Sequence, residues 1–394
     1  MPADWPPQFL FTVCQCGAEL ALKQEIAKGP IDARPAYMRP GFVTFKLGRP
    51  CDHPDQFQLP STFARTFGFC LGKVTGELSG ELARQVWQLP AVEQFMGVHL
   101  PGDIHVWQRD TKPAGSSGFQ PGPTLLAREI ETVLRQASPV AVLRSLPAEP
   151  RPPSRRSRWV LDVVLVEPNE WWVGCHRTVR RIQCWPGGVM PLELPEHAAS
   201  RAYLKITEAI AWSALPAVPG DLCLELGCAP GGASQALLDH GLKVIGIDPA
   251  EIDDELASHP GFTHLRCRSL EVPHKALRGV RWLVADMNTA PTYTLDAAEA
   301  IVGSKTANIR GMILTLKLAD WKLAEQLPEF VRRVMGWGYR DVRTRQLASN
   351  RQEVCLVALR SRGQRRVQRR SRPRSRTDEP HASGMQGPHL PTNM

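Results

Sequence analysis

A short apolar strand, a turn with three glycines and a helix follow one another in residues 222–238, LCLELGCAPGGASQALL. Glycines after a strand let the backbone approach a ligand, and the helix N-terminus behind such a turn favours negative charge. A dinucleotide site has the spacing G-x-G-x-x-G, whereas this turn reads Gly227-Cys-Ala-Pro-Gly231-Gly232. Pro230 also removes an N–H donor that a pyrophosphate would use. The spacing therefore disfavours a dinucleotide, and a tight turn without a ligand is the alternative.

Two acidic residues narrow the class of ligand. Asp248 ends the next apolar segment, KVIGID, about 20 residues after the turn, where a carboxylate can accept hydrogen bonds from a ribose diol. Glu225 lies just before the turn, and its charge would repel a pyrophosphate but suit a sulfonium and an ammonium group. We therefore expect a ligand with an adenosine ribose, and Glu225 favours S-adenosylmethionine over a nucleotide.

The elements that must position these residues begin near residue 200. Strand-like segments alternate there with predicted helices over 231–240, 294–303 and 322–335, and the strand-like segments are LCLELG, KVIGID, FTHLRCR, WLVADM, RGMILTLKL, YRDVRTRQL and EVCLVAL. This alternation predicts an α/β domain over 200–361, with a mostly parallel sheet and helices on both faces. The last two strands are separated by only a few residues, so they must form an antiparallel hairpin.

The front half of the chain has a different pattern, which predicts an α+β region. Residues 1–52 indicate a strand, a helix and a strand, as in a ferredoxin-like subdomain, and residues 53–177 form a second unit. That unit contains an amphipathic helix over 124–137 and a hairpin over 159–177 around EPNE. Residues 178–199, which carry proline and glycine, are predicted to be a connector.

The positive charge of the chain is unevenly spread. The net charge is +9, and nine arginines but only two acidic residues lie between Arg360 and the C-terminus. Residues 362–394 are rich in arginine, serine, proline and histidine, which predicts a disordered basic tail. Such a tail has the charge to contact phosphates, although a merely solubilising role is the alternative.

Several classes of protein are disfavoured by what the sequence lacks. It has no run of 18 apolar residues and no basic, then apolar, leader, so we expect neither a membrane span nor a secretory signal. Its ten cysteines include no C-x-x-C pair, so we expect no metal site and reduced thiols in a cytoplasmic protein. The sequence leaves the oligomeric state open.

The segment ELGCAPGG resembles motif I of the FtsJ-type ribose 2′-O-methyltransferases, which use S-adenosylmethionine. That family carries a Lys–Asp–Lys–Glu tetrad, and four segments match its members in order: SRAYLK, WLVADM, ILTLKL and SNRQEVCLVAL. The resemblance implies that Lys205, Asp286, Lys317 and Glu353 are catalytic. It also implies that Asp286 lies beside the cofactor, together with Glu225, Gly227, Pro230, Gly231, Gly232 and Asp248.

The front half is similar to the RlmM-type large-subunit rRNA methyltransferases in FARTFGF, in WWVGCHR and in the connector into PEHAASRAYLKITEA. Those proteins join a THUMP RNA-binding region to the catalytic domain, so the resemblance implies an RNA partner, 23S-type rRNA. The sequence departs from the family at Ala233, where a Trp often follows the glycines, and at Arg268, where an acid that contacts adenine is expected.

Methyl transfer to a ribose hydroxyl requires alignment of two reactants and removal of one proton. Lys317 stands inside the apolar run MILTLKLADW and could accept that proton only when neutral. Burial and Lys205 lower its pKa, whereas Asp286 and Glu353 raise it, so the sequence leaves open whether Lys317 is the base or orients the hydroxyl. A non-catalytic RNA-binding factor with the same fold is the alternative function, and an oxidoreductase is disfavoured by the glycine spacing.

Overall fold

Two seven-stranded sheets make up the protein, one in each half of the chain. The computed structural model describes residues 5–145 and 157–361. The predicted basic tail, 362–394, and most of the proline- and arginine-rich segment around residue 150 lie outside the described residues. Within the described ranges, no helix has the length and apolar character needed to cross a membrane.

The N-terminal sheet has the strand order β2-β3-β1-β4-β7-β6-β5 and is antiparallel except for the pair β5–β6. Its strands are β1 (Phe9–Val13), β2 (Ala33–Arg39), β3 (Phe42–Leu47), β4 (Thr66–Thr75), β5 (Asp103–Gln108), β6 (Trp159–Glu167) and β7 (Glu170–Arg177). The hairpin predicted over 159–177 is confirmed by β6 and β7. Because β1 pairs with both β3 and β4, one sheet crosses the predicted boundary at residue 52, and the division into two subdomains stays a prediction.

The described residues of this half form five α-helices: α1 (Glu19–Lys28), α2 (Ser79–Trp87), α3 (Pro90–Val98), α4 (Leu125–Gln136) and α5 (Ala141–Ser145). The helix predicted over 124–137 is confirmed by α4. It begins at Leu125 because the Thr124 side chain caps it, accepting a hydrogen bond from the Ala127 N–H at 3.2 Å. Strand β2, which the apolar pattern did not indicate, is largely exposed at the edge of the sheet.

The C-terminal sheet has the order β10-β9-β8-β11-β12-β14-β13. Its strands are β8 (Leu222–Leu226), β9 (Lys243–Ile247), β10 (Phe262–Leu265), β11 (Val280–Ala285), β12 (Gly311–Lys317), β13 (Asp341–Arg345) and β14 (Glu353–Leu359). Strands β8 to β12 are parallel, and β14 runs antiparallel between β12 and β13. The predicted mostly parallel α/β sheet with an antiparallel last strand is therefore confirmed.

The helices of this half are α6 (Ala202–Ser213), α7 (Gly232–Asp239), α8 (Asp254–Ala257), α9 (Pro291–Val302) and α10 (Leu327–Gly336). Helix α6 was not predicted from the sequence, although it carries Lys205. The helix predicted over 322–335 is wrong at its start, because a 3₁₀ turn, Trp321–Gln326, precedes α10. Pro328 fits the first turn of α10, where its missing N–H costs no hydrogen bond.

Candidate active site

The glycine turn joins β8 to α7 and is shaped by the packing of the protein around it. Gly227 and Gly231 have φ values of +78° and +132°, a region that favours glycine. A Cβ atom on Gly227 would lie 2.7 Å from Cγ of Met287, so a larger residue would have to displace that side chain. A Cβ atom on Gly232, the first residue of α7, would lie even closer to Ser200 and would overlap its backbone as well as its hydroxyl. The turn thus brings β8, α7 and the end of β11 together. Glu225 and Asp286 therefore lie near the same end of the sheet, at the carboxyl ends of two neighbouring parallel strands.

Glu225 lies near the end of β8 and is completely buried. One carboxyl oxygen accepts a hydrogen bond from the Ser234 hydroxyl, and Oε1 has no hydrogen-bond partner among the described residues. Burial raises the pKa of Glu225 to about 8, and nearby Asp286 and Asp248 add to this rise. A buried carboxyl group with an unpartnered oxygen is suited to a cation, because a positive group restores the charged form that burial disfavours.

Asp248 follows β9 and ties that strand to the glycine turn. Its Oδ2 accepts a hydrogen bond from the Ala229 N–H at 3.2 Å, and its Oδ1 accepts one from the Ala250 N–H at 2.8 Å. Each carboxylate oxygen has a second lone pair, so the group can still accept bonds from two hydroxyls. Its role at a ribose stays a prediction, and it has a structural role that the sequence did not indicate.

The four tetrad residues come from four separate elements and meet at the carboxyl edge of the parallel strands. Lys205 projects from the first turn of α6, Asp286 directly follows β11, Lys317 ends β12 and Glu353 begins β14. Lys317 and Glu353 are directly paired across the antiparallel strands β12 and β14. The reversed direction of β14 therefore places the start of that strand beside the end of β12.

Each lysine of the tetrad contacts both acids. Lys205 Nζ lies 2.6 Å from Glu353 Oε1 and 3.5 Å from Asp286 Oδ2. Lys317 Nζ lies 2.5 Å from Glu353 Oε2 and 3.1 Å from Asp286 Oδ1. The acids are 5–6% exposed, whereas the side chains of Lys205 and Lys317 are 15% and 22% exposed. The structure thus brings the four residues together, with the lysines more accessible than the acids.

The electrostatic balance that the sequence left open favours a charged Lys317. Burial lowers its pKa, but Asp286 and Glu353 outweigh burial, so the pKa of Lys317 is raised from its ordinary value. Burial acts against ionisation of Glu353, but Lys205 and Lys317 lower its pKa to about 2. At neutral pH the pair therefore consists of an ammonium and a carboxylate.

Two positions at which the sequence departs from the resembled family differ in environment. Ala233 is buried in the first turn of α7, where it packs in an apolar cluster with Leu256 and Phe262. Arg268 is exposed, and its backbone N–H donates to Glu271 at 3.3 Å. The sequence pattern also missed Asn350, whose amide group donates to Glu353 Oε1 at 3.2 Å. Its position three residues before an acid was the only signal, and that spacing is common.

The glycine turn lies beside a buried carboxyl group with one unpartnered oxygen and next to a cluster of two lysines and two acids. This arrangement is typical of an S-adenosylmethionine-dependent methyltransferase. Residues 198–377 match the family model of the FtsJ-like methyltransferases. The chain therefore carries an FtsJ-like methyltransferase domain, and the resemblance predicted from motif I and the tetrad is confirmed.

Two curated relatives have the name "Ribosomal RNA large subunit methyltransferase M". The protein of Laribacter hongkongensis is 31% identical over 190 residues, which cover 45% of this chain and 52% of the relative. The protein of Cellvibrio japonicus is 30% identical over 213 residues, which cover 51% of this chain and 59% of the relative. The matched part of the chain thus spans little more than half the length of these relatives.

Proposed function

We propose that this protein is an S-adenosylmethionine-dependent RNA ribose 2′-O-methyltransferase that acts on large-subunit rRNA. The observation that carries the proposal is the meeting of Lys205, Asp286, Lys317 and Glu353 beside the glycine turn. The FtsJ-like match over residues 198–377 and the names of the two relatives support it.

In this proposal the glycine turn holds the cofactor, with Glu225 facing its positive groups and Asp248 its ribose diol. The unpartnered, buried Oε1 of Glu225 is the observation with which such a cationic ligand agrees. When bound, S-adenosylmethionine supplies a methyl group on a positively charged sulfur, which leaves as a neutral sulfide. The protein therefore has to align the ribose hydroxyl with that methyl group and to provide a route for one proton.

Lys317 acts as a positioning donor to the ribose oxygen. Its ammonium group has three N–H bonds, and two face Asp286 and Glu353. The third can donate to one lone pair of the 2′-oxygen, which leaves the other lone pair for attack on the methyl carbon. Because its pKa is raised, Lys317 is protonated at neutral pH and cannot accept the hydroxyl proton. That proton passes to water as the C–O bond forms, since an oxygen that gains a methyl group becomes strongly acidic.

The N-terminal sheet supplies recognition of the RNA, because structured RNA is read mainly by shape and by unpaired bases. The arginine-rich tail after Ser361 adds contacts to phosphates that carry no sequence information. A protein that acts on ribosomal RNA is expected to work in the cytoplasm.

The test compares 2′-O-methylation of large-subunit rRNA in a deletion strain and its parent, read by mass spectrometry of nuclease fragments. Loss of one 2′-O-methyl group in the deletion strain, restored by the wild-type chain but not by Lys317→Ala, is the expected result. An unchanged methylation pattern would reject the proposal and favour an RNA-binding factor without catalytic activity.

A further inference from the structure

The loop between β13 and β14, residues 346–352, connects the catalytic glutamate to the other half of the molecule. Asn350 is 1% exposed and lies in this loop. Its Nδ2 donates to Glu353 Oε1 at 3.2 Å, the same oxygen that Lys205 contacts at 2.6 Å. Asn350 and Lys205 therefore fix the direction of one carboxylate oxygen, and Lys317 contacts the other.

The amide group of Asn350 is itself held in one orientation. Its Oδ1 accepts a hydrogen bond from the Leu347 N–H at 2.8 Å. A flipped amide would place its NH₂ group against that N–H and its oxygen against the Glu353 carboxylate, so both bonds would be lost. The contact with Glu353 is thus determined by the fold of the loop.

The N-terminal half holds this loop through Gln15, which follows β1 and is 4% exposed. Gln15 Nε2 donates to the Asn350 carbonyl at 2.5 Å, and Gln15 Oε1 accepts from Gln346 Nε2 at 2.5 Å. The Gln346 N–H donates to the Thr62 carbonyl at 2.8 Å. Arg351 in the loop also donates to the Ala114 carbonyl at 3.1 Å, so the loop is bonded to three segments of the N-terminal half that are distant in sequence.

Helix α6 holds the same loop from the catalytic side. Glu208 lies three residues after Lys205 and is buried. Its carboxylate accepts bonds from the Ala348 N–H at 2.8 Å, the Ser349 N–H at 3.1 Å and the Ser349 hydroxyl at 2.8 Å. These three donors satisfy a buried charge that would otherwise destabilise the fold. The loop is thus held between the helix that carries Lys205 and the N-terminal half.

We propose that Asn350 is a positioning residue for Glu353 and that Gln15 makes the N-terminal half a structural part of the catalytic site. The inference rests on the proposed function for its effect on turnover, and on the contacts alone for its effect on the tetrad. Loss of the Gln15 bonds leaves the buried Asn350 carbonyl without its donor, which favours movement of the loop. Methyl transfer then depends on Gln15, although that residue lies in the other sheet.

The test uses the full chain and two informative variants. Asn350→Asp keeps the acceptor for the Leu347 N–H but places an acidic oxygen against Glu353. Gln15→Ala removes both bonds to the loop without adding charge. Thr62→Val is the matched control, because it removes only the hydroxyl, which lies 2.7 Å from the Thr344 hydroxyl, and keeps the Thr62 carbonyl that accepts from Gln346.

The first readout is methyl transfer to large-subunit rRNA with kcat and KM measured separately. We expect kcat to fall about 10- to 100-fold in Asn350→Asp and about 3- to 10-fold in Gln15→Ala, with KM for S-adenosylmethionine within about twofold. Thr62→Val should keep the wild-type kcat. Equal losses in Gln15→Ala and Thr62→Val would show only that the interface had weakened and would overturn the proposal.

The second readout needs no substrate. The pH dependence of acylation of Lys317 by acetic anhydride, read by mass spectrometry, reports on the charges of the tetrad. Lys205 and Lys317 contact Glu353, and both lysines also contact Asp286. The charge of Glu353 also acts on Arg201 and Cys355. An added acid at position 350 should move the Lys317 profile upward by about 0.5 pH unit or more.

These readouts separate failure of the inference from failure of the proposed function. Wild-type kcat together with an unshifted Lys317 profile in Asn350→Asp would overturn the inference. If the wild-type chain transfers no methyl group to rRNA, the proposed function fails. In that case the Lys317 profiles of Asn350→Asp and the control decide on the contact alone.

Discussion

The two sheets contain the same number of strands but arrange their buried charges in different ways. In the N-terminal half, Arg65 and Asp110 form a two-point ion pair at 2.7 and 2.8 Å, with both side chains at most 3% exposed. In the C-terminal half, Lys205 and Lys317 are partly exposed at an edge where the carboxyl ends of strands meet. Burial of charge is therefore common to both halves, and accessibility of the charged groups distinguishes the candidate site.

A second group of buried polar side chains in the N-terminal sheet differs from the candidate site in the same way. Ligand-type atoms of His105, Asp162 and His176 lie within 4.8 Å of one another, and all three side chains are buried. His176 Nδ1 lies 2.6 Å from Asp162 Oδ2, and His176 Nε2 lies 2.7 Å from the Gln183 carbonyl. Burial lowers the pKa of His176 but Asp162 and Gln183 outweigh it, so its pKa is raised. We therefore describe His176 and Asp162 as a buried ion pair. The predicted lack of a metal site stays a prediction.

The largest effect should come from a substitution in the partly exposed tetrad. Lys317→Ala should reduce single-turnover methyl transfer about 10²- to 10⁴-fold, because it removes the donor that we propose orients the ribose oxygen. Affinity for S-adenosylmethionine should stay within about 1 kcal/mol, since Lys317 does not belong to the glycine turn. Activity equal to that of the wild type would remove Lys317 from the mechanism.

A substitution in the buried Arg65–Asp110 pair should affect stability and leave turnover nearly unchanged. Asp110→Ala leaves the Arg65 guanidinium buried without its acid and should lower the free energy of unfolding by about 3–5 kcal/mol, measured with denaturant. Turnover per folded molecule should stay within about threefold. A stable variant with a large loss of turnover would show that the comparison between the two halves is wrong.

A smaller effect is expected beside the glycine turn. Asp248→Ala should weaken S-adenosylmethionine binding by about 1–3 kcal/mol in isothermal titration, because the Ala229 N–H and, in the proposed complex, two ribose hydroxyls lose their acceptor. Glu251→Ala is the control, since that acid lies nearby and is highly exposed. Unchanged affinity in Asp248→Ala would contradict the assignment of Asp248 to the ribose.

Removal of the basic tail should affect RNA binding alone. Truncation after Ser361 is preferable to truncation after Leu359, because Arg360 donates to the Ile309 carbonyl at 2.8 Å. The truncated chain should bind RNA more weakly and with a flatter salt dependence, while binding of S-adenosylmethionine is unchanged. A salt dependence identical to that of the full chain would reject a phosphate role for the tail.

The smallest expected change is that of kcat with pH. Because the pKa of Lys317 is raised, a base role would make kcat rise about tenfold per pH unit from pH 7 to 9. A charged, orienting Lys317 predicts a change of less than about threefold over that range. Glu353, with its pKa lowered to about 2, adds no acid limb above pH 5. A log-linear rise of kcat would restore the base role.

The sequence predicted the parallel sheet and the glycine turn, because a strand pattern and a short motif are local features. The four tetrad positions came from the family resemblance. It could not predict that the pKa of Lys317 is raised, since burial and the two acids act in opposite directions and only distances decide between them. Helix α6 was missed because its mixed apolar face gives no clear periodicity. The contact of Gln15 with Asn350 joins residues 335 positions apart, and no pattern within either segment indicates it.

Our central claim is that the protein, through its tetrad, catalyses the transfer of a methyl group to a ribose 2′-oxygen of large-subunit rRNA. The most direct measurement incubates wild-type and Lys317→Ala protein with transcribed large-subunit rRNA and labelled S-adenosylmethionine, followed by digestion to nucleosides and mass spectrometry. We expect the label in a single 2′-O-methylated nucleoside with the wild type, and in none with the variant. Label on a base, or equal labelling by both proteins, would contradict the claim.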